Sequence, residues 1–538
     1  MRAESGSSSM VVADVLVIGG GGAGAAMWAK KSGANSVGIV EKGVLGESGC
    51  TVMGTYSCCA ALGYADPRDN PQVHYEDTFK AGGNVGDPAL VRVYAEEAPA
   101  RVLELAEAGV PFEREGSRLK QGYMEGHTYP RACYVGMRTG QAMQWGLRRN
   151  LERTPGVRRY NDVQIYRLLS TEGKVWGAMG WDRKTLTPVQ FLAKATVIAT
   201  GGCGQLYTHT TTSLDNTGDG LALAWEAGAS LKDMEFVQFY PMAWIYPRVI
   251  GLNRTPAQFL RFVPGSRMYN AQGEDFLDAP YPDWRRSLTR DLLAQAMYRE
   301  IIEGRGGPHG GVFIDVTAAS LADIEGYLST GGFFQKIKGM GIDLKRTPLE
   351  VGVASHFLMG GIYARPENAL SEILVTGARA GEGAARFALK RQEPVPSLPL
   401  KTEWEDWIEG LLSNPRPAMP PGQLKESLQD CMWRYGGVIR TSRGLAEGQE
   451  KLARLQTAFG QEMSLSYGPR AYHMELQDAI ETRLMLEVAR VILTAAQRRE
   501  ESRGAHFRED FPETKEDWRA NLILTKAKDE IVCEKRIG

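Results

Sequence analysis

Three short runs of aliphatic and β-branched residues stand out along the chain, Ala13-Asp-Val-Leu-Val-Ile18, Ser36 to Val40 and Ala195 to Thr200. Each reads as a buried strand. The first runs into Gly19-Gly20-Gly21-Gly22-Ala23-Gly24 and then a helix-forming stretch, Ala25 to Ser32. The third runs into Gly201-Gly202-Cys203-Gly204, and a second glycine turn, Asn216 to Gly220, precedes a helical stretch from Leu221 to Ala227. Towards the C-terminus, Arg440 to Phe459 and Leu476 to Arg499 carry apolar positions at helical spacing among many charges. Pro394-Val-Pro-Ser-Leu-Pro399 breaks the pattern and reads as a linker. The longest apolar run, Leu484 to Ala496, is interrupted by Glu487, Arg490 and Thr494. It falls short of the ~18 apolar residues of a membrane helix, so direct insertion is not expected. Polar residues dominate Met1 to Met10, and residues 1–12 are expected to form a disordered tail.

The chain has 538 residues, enough for about three domains. Its 63 Lys and Arg against 64 Asp and Glu leave a net charge of −1. That balance gives nucleic acid no electrostatic claim as the main partner. Seven cysteines without a CxxC pair argue against a disulfide framework and against a metal or iron–sulfur site built by this chain alone. The 62 glycines exceed the usual share of about 7%. They cluster in turns between apolar runs, where backbone can approach a ligand.

The first turn has the chemistry of a dinucleotide site. Gly19 permits the tight turn, Gly21 lets backbone reach a pyrophosphate, and Gly24 lets helix and strand pack closely. Gly22 and Ala23 complete the turn, whose following helix presents its amide end to phosphate charge. Glu41 ends the second strand, at the distance where an acid holds ribose hydroxyls. Asp219 opens a helix and fits either a ligand contact or a plain N-cap.

Several segments occur in an order that resembles the flavoprotein subunit of the succinate dehydrogenase/fumarate reductase family, with L-aspartate oxidase and adenylylsulfate reductase as relatives. They include His74-Tyr-Glu-Asp-Thr-Phe-Lys-Ala-Gly-Gly83, Arg138-Thr-Gly140, Asn216 to Gly220 and Glu235-Phe-Val-Gln-Phe-Tyr-Pro241. Ser355-His-Phe-Leu-Met-Gly-Gly-Ile362, Met432-Trp433 and Glu501-Ser-Arg-Gly-Ala-His506 continue the series. The resemblance implies an α/β plus α architecture. A Rossmann-like FAD-binding domain (13–235 and 350–393) would be interrupted by an α+β capping domain (236–349) and followed by a C-terminal helical domain (394–538). It implies FAD, with Lys42, Ser48, Thr51, Val163, Thr200 and Gly201 joining the residues above around the cofactor. It also implies a partner, an iron–sulfur electron-transfer subunit. The protein would be cytoplasmic, and peripheral on a membrane through its partners.

The active-site segments depart from that family. The histidine that tethers flavin covalently in some members falls in Glu47-Ser48-Gly49-Cys50-Thr51, where no imidazole stands, so non-covalent FAD is expected. Arg290-Asp291 matches the proton-donating Arg-Asp pair, His356 the substrate histidine, and Arg386 the second substrate arginine. Tyr240 replaces a further histidine. Pro256 to Arg267 replaces the segment with the substrate threonine and relay glutamate, and an aromatic wall of Tyr240, Trp244, Phe259 and Phe262 is expected instead. The flavin-binding Gly-Glu reads Gly377-Ala378, and the helix starting at Ala388-Leu-Lys390 is expected to be cut short by the prolines. His127 and Arg131 are further polar residues expected to reach the flavin.

The resemblance therefore implies an FAD-dependent oxidoreductase that passes a hydride between flavin and an enoate-type small molecule, with Arg290, His356, Arg386 and Tyr240 as its catalytic set. Two alternatives share the fold: an FAD-carrying relay or scaffold subunit without substrate chemistry, or an adenylylsulfate-reductase-like enzyme.

Overall fold

A computed structural model describes residues 9–537, apart from 56, 125, 247–254, 329–332, 364–373, 417 and 529. Met1 to Ser8, most of the expected tail, lie outside the described residues.

The first strand begins at Ser9, inside the segment expected to be disordered. It spans Ser9–Ile18 and pairs in parallel with Thr187–Ile198, from Ser9 opposite Val189 to Ile18 opposite Ile198. Backbone pairing, not burial, orders its start, since Met10 and Val12 remain exposed. Val37–Val40 and then Val157–Tyr160 extend the sheet in parallel on one side. Lys174–Asp182 and Val163–Thr171 add antiparallel strands on the other. The Ile18–Ile198 register brings two glycine turns to one sheet edge, where the Ala199 amide donates to the Ile18 carbonyl at 2.7 Å.

The Ala23–Lys31 helix follows the first turn, and the Val375–Lys390 helix packs along it. Their contact depends on small residues. A Cβ on Gly381 would meet the Ala25 carbonyl and approach the Ala29 amide at 2.8 Å. The expectation of a shortened helix near residue 390 is therefore corrected: the helix starts at Val375 and runs through sixteen residues before the prolines.

Residues between the two parts of the nucleotide fold carry a four-stranded antiparallel sheet, ordered Val237–Trp244, Leu349–Leu358, Val312–Asp315, Arg267–Tyr269. Four helices then follow, Glu403–Ser413, Pro421–Tyr435, Ser442–Gln461 and Met474–Arg498. The last is buried over most of its circumference, which is why its apolar run is so long without crossing a membrane. No described helix is long and apolar enough to cross one. The chain does not end in helix. Ala520–Ala527 and Glu530–Ile537 form a hairpin that pairs with Leu231–Lys232 of the nucleotide-binding part.

Candidate active site

The glycine turn is built as the sequence requires. Gly19 has φ +104°, and a Cβ there would meet the Ala199 carbonyl and stand 2.8 Å from the Thr200 amide. Gly22 is wedged against Val17 and Ala199, with the Ala199 Cβ 2.9 Å from where its own Cβ would be. A Cβ on Gly21 would lie 3.2 Å from the Ala199 carbonyl, and Gly24 is buried under the helix start. Glu41 folds back on this turn: its carboxylate accepts from the Gly20 amide and, at 3.4 Å, from the Gly43 amide. Burial pushes this carboxyl above its usual range, although the Gly43 and Gly20 amides pull the other way. Val163 is fixed by its amide bond to the Glu41 carbonyl. Gly201 has φ +76°, and the Thr200 hydroxyl accepts from the Gly220 amide at 3.1 Å. The Ser48 hydroxyl donates back to the Val44 carbonyl at 3.0 Å.

Two expected cofactor contacts are turned elsewhere. Lys42 donates to Asp219 at 3.0 Å, Thr217 at 2.9 Å and Glu481 at 2.8 Å, all buried. Burial alone would favour neutral lysine, but Asp219 and Glu481 hold its ammonium above the ordinary value. Asp219 is neither a cap nor directed at a ligand. Gly218 occupies the N-cap, and the Asp219 carboxylate binds Lys42 and the Thr217 hydroxyl.

A cavity of about 330 Å³ lies elsewhere in the described residues. Cys50, Thr51, Gly54, Thr139 and Gly140 line one part, Leu374 and Val375 of the long helix another, and Thr211, Thr212, Thr255 and His356 a third. Gly140 fits there because a Cβ would strike the Thr51 carbonyl and the Gly54 backbone. Cys50 is held against Ser213, whose amide donates to the sulfur at 3.5 Å. Burial raises its thiol above the ordinary value, more than the Ser213 contacts lower it.

The catalytic candidates converge at the third part. His356 Nδ1 lies 2.6 Å from the Thr211 hydroxyl. The His356 and Tyr240 rings are 4.8 Å apart, and the Arg290 guanidinium sits 5.2 Å from the Tyr240 ring centre. Burial, followed by the positive charge of Arg290, pushes the His356 imidazole down to about 4. Tyr240 is fully buried, and its hydroxyl donates to the Thr255 carbonyl at 3.1 Å.

Several sequence expectations are corrected here. Arg386 is exposed on the Val375–Lys390 helix and does not line the cavity, because that helix turns its small residues, not Arg386, inward. Pro256 to Arg267 does not leave the site without a threonine, since Thr255 lines the cavity immediately before it. Tyr240, Trp244, Phe259 and Phe262 do not form the wall. Among the described residues the lining is mostly threonine, cysteine, glycine and apolar side chains, with Tyr94, Arg101 and His356 among them, and Tyr240 and Trp244 pack into the capping sheet. Arg131 is fully buried on Asp69 and Asp77, and His127 stands by His74, 6.2 Å between ring centres. Both serve packing there. Sequence reasoning missed Thr211, whose only signal is a plain run of threonines at 210–212, and Arg101, an unremarked residue of the Pro88–Glu107 helix that also lines the cavity.

The residues present fit a flavin dinucleotide. The glycine turn leaves no room for side chains where backbone must meet a pyrophosphate, and the cavity is lined by Arg101, whose buried Nε has no hydrogen-bond partner.

Residues 14–384 match the family model described as FAD binding domain, and residues 425–536 match fumarate reductase flavoprotein C-term. The chain is 35% identical to a fumarate reductase (CoM/CoB) subunit of Methanothermobacter marburgensis, covering 96% of this chain and 98% of that one. It is 29% identical to L-aspartate oxidase of Synechocystis, over 95% of this chain and 96% of the other. Among solved structures, Mycobacterium smegmatis Sdh1 in complex with UQ1 superposes with a TM-score of 0.88 at 31% identity, covering 98% of this chain and 94% of that one. With the strand–glycine–helix turn and the capping sheet both in place, the chain belongs to the fumarate reductase/succinate dehydrogenase flavoprotein family, whose members are FAD-dependent oxidoreductases.

Proposed function

We propose that this chain carries FAD non-covalently and interconverts a carbon–carbon double and single bond beside a carboxylate, exchanging electrons through an iron–sulfur partner. The observation that carries this reading is the cluster of Arg290, Tyr240 and His356, of which His356 lines the cavity together with Thr51, Gly140 and Val375. FAD, when bound, supplies or accepts the hydride.

The chain's own residues hold the substrate and move the proton. In the tautomer where the Thr211 hydroxyl donates to His356 Nδ1, the ring proton is on Nε2 for a substrate oxygen. With its imidazole at about 4, His356 is a neutral donor near pH 7. Thr255 adds a hydroxyl to the same wall. Arg290 stands over Tyr240 as the proton donor to carbon.

The test is anaerobic. Photoreduced protein is mixed with fumarate and with bulkier enoates while the visible flavin absorbance is followed. Reoxidation by at least one enoate is expected, and no reoxidation by any of them would sink the substrate chemistry.

The position of Arg386 outside the cavity favours one rival, a relay subunit that keeps FAD but not the substrate reaction. Arg290→Ala separates the two. An enzyme loses most of its turnover, while a relay passes electrons at the wild-type rate.

A further inference from the structure

Arg101 lies on the Pro88–Glu107 helix, and its side chain is 17% exposed. Its guanidinium stacks 4.5 Å from the Trp28 ring centre, which fixes the plane of the group. Glu104 stands 3.0 Å from Nη1 as its counter-ion. Nε, by contrast, is buried and has no hydrogen-bond partner. A buried donor without an acceptor is costly unless something fills the space it faces. That space is the cavity described above, and among the described residues Arg101 is the one arginine or lysine in its lining.

We propose that Arg101 faces the isoalloxazine of bound FAD and stabilises its reduced, anionic form. The proposal rests on the FAD reading and deepens it. Taking up two electrons and one proton turns neutral oxidised flavin into an anion whose charge lies over N1 and the C2 carbonyl. A cation in a low-dielectric wall favours that form. Where the resemblance expects a flavin-binding Gly-Glu, the sequence reads Gly377-Ala378. Trp28 and Glu104 hold the guanidinium in place and leave Nε without a partner.

Sulfite reads this charge without enzyme turnover. Its sulfur lone pair adds to flavin N5, an N–S bond forms, and the displaced electron pair settles over N1 and the C2 carbonyl. No other bond breaks and no proton leaves. Sulfite dissociation constants are measured by flavin bleaching on the FAD-loaded wild type, R101Q and E104Q. R101Q is expected to bind sulfite about tenfold more weakly, as for loss of a charge within a few ångströms. E104Q, a change on the half-exposed outer side of Arg101, removes the counter-ion and is expected to bind several-fold more tightly. An unchanged constant in flavin-loaded R101Q overturns the proposal and leaves the FAD reading standing. If R101Q does not hold flavin, E104Q decides, and an unchanged constant there overturns the proposal. A wild type that refuses FAD overturns both readings.

Discussion

Lys42 donates to Glu481 across 2.8 Å, joining the end of the second sheet strand to the Met474–Arg498 helix. Both side chains are almost fully buried, and Lys425 donates to the other Glu481 oxygen at 2.6 Å. One carboxylate thus sits between two ammonium groups at the seam between the nucleotide fold and the C-terminal helices. Breaking one member of such a pair leaves a buried charge uncompensated.

Glu481→Gln should therefore cost about 3–5 kcal/mol in urea unfolding. Burial would raise the Glu481 carboxyl, but Lys42 and Lys425 outweigh it and hold it near 2. Because this folded value lies below the unfolded value of about 4.3, the stabilisation is complete above that pH. It drains away as pH falls towards 2. The acid limb of the wild-type stability curve should be shallower in Glu481→Gln, and an identical limb in both proteins would contradict the pairing.

Gly19→Ala should empty the cofactor site. The φ of +104° penalises any side chain, and the added methyl would meet the Ala199 carbonyl. The strain is on the order of 1–3 kcal/mol. A lower flavin-to-protein ratio after purification, together with a lower Tm, is the expected result.

Acid precipitation should release all of the flavin into the supernatant. The segment around Cys50 offers no imidazole, and burial keeps the Cys50 thiol protonated above its ordinary value. Cys50→Ser should carry the same amount of FAD as wild type. Yellow protein in the washed pellet would show a covalent link and contradict this prediction.

His356 should stay neutral from pH 8 down to about 5, so its contribution to the pH profile appears only as pH approaches 4. His356→Ala should lower kcat/KM for an accepted enoate by about 100-fold. Arg290→Gln removes the cation that helps to depress the imidazole. The His356 titration, followed by NMR, should move upward in that variant, and an unmoved titration would show that the two groups do not interact.

Part of this site was legible along the chain because it is local. A buried strand, a glycine turn and a helix start are neighbours in sequence, and the turn at Gly19 and the position of Glu41 after the second strand follow from that order. His356 and Tyr240 were placed by their motifs, and pairing of Val237–Trp244 with Leu349–Leu358 brings them together. Arg386 shows where this reasoning stops. Its motif match was short, and the helix carrying it is oriented by glycine and alanine packing against Ala25 and Ala29, which leaves the arginine outside.

By itself the sequence determined a nucleotide fold and its glycine turn, since turn chemistry and strand periodicity act between near neighbours, while His356 and Arg290 were pointed to by the family resemblance. Tertiary structure alone decided that Lys42 and Asp219 neutralise each other, that Thr255 and Arg101 share a cavity with His356, and that the last hairpin closes on Leu231–Lys232. Those relations join residues far apart in the chain. They are set by which faces pack and which buried charges must find a counter-charge, and no local pattern records either.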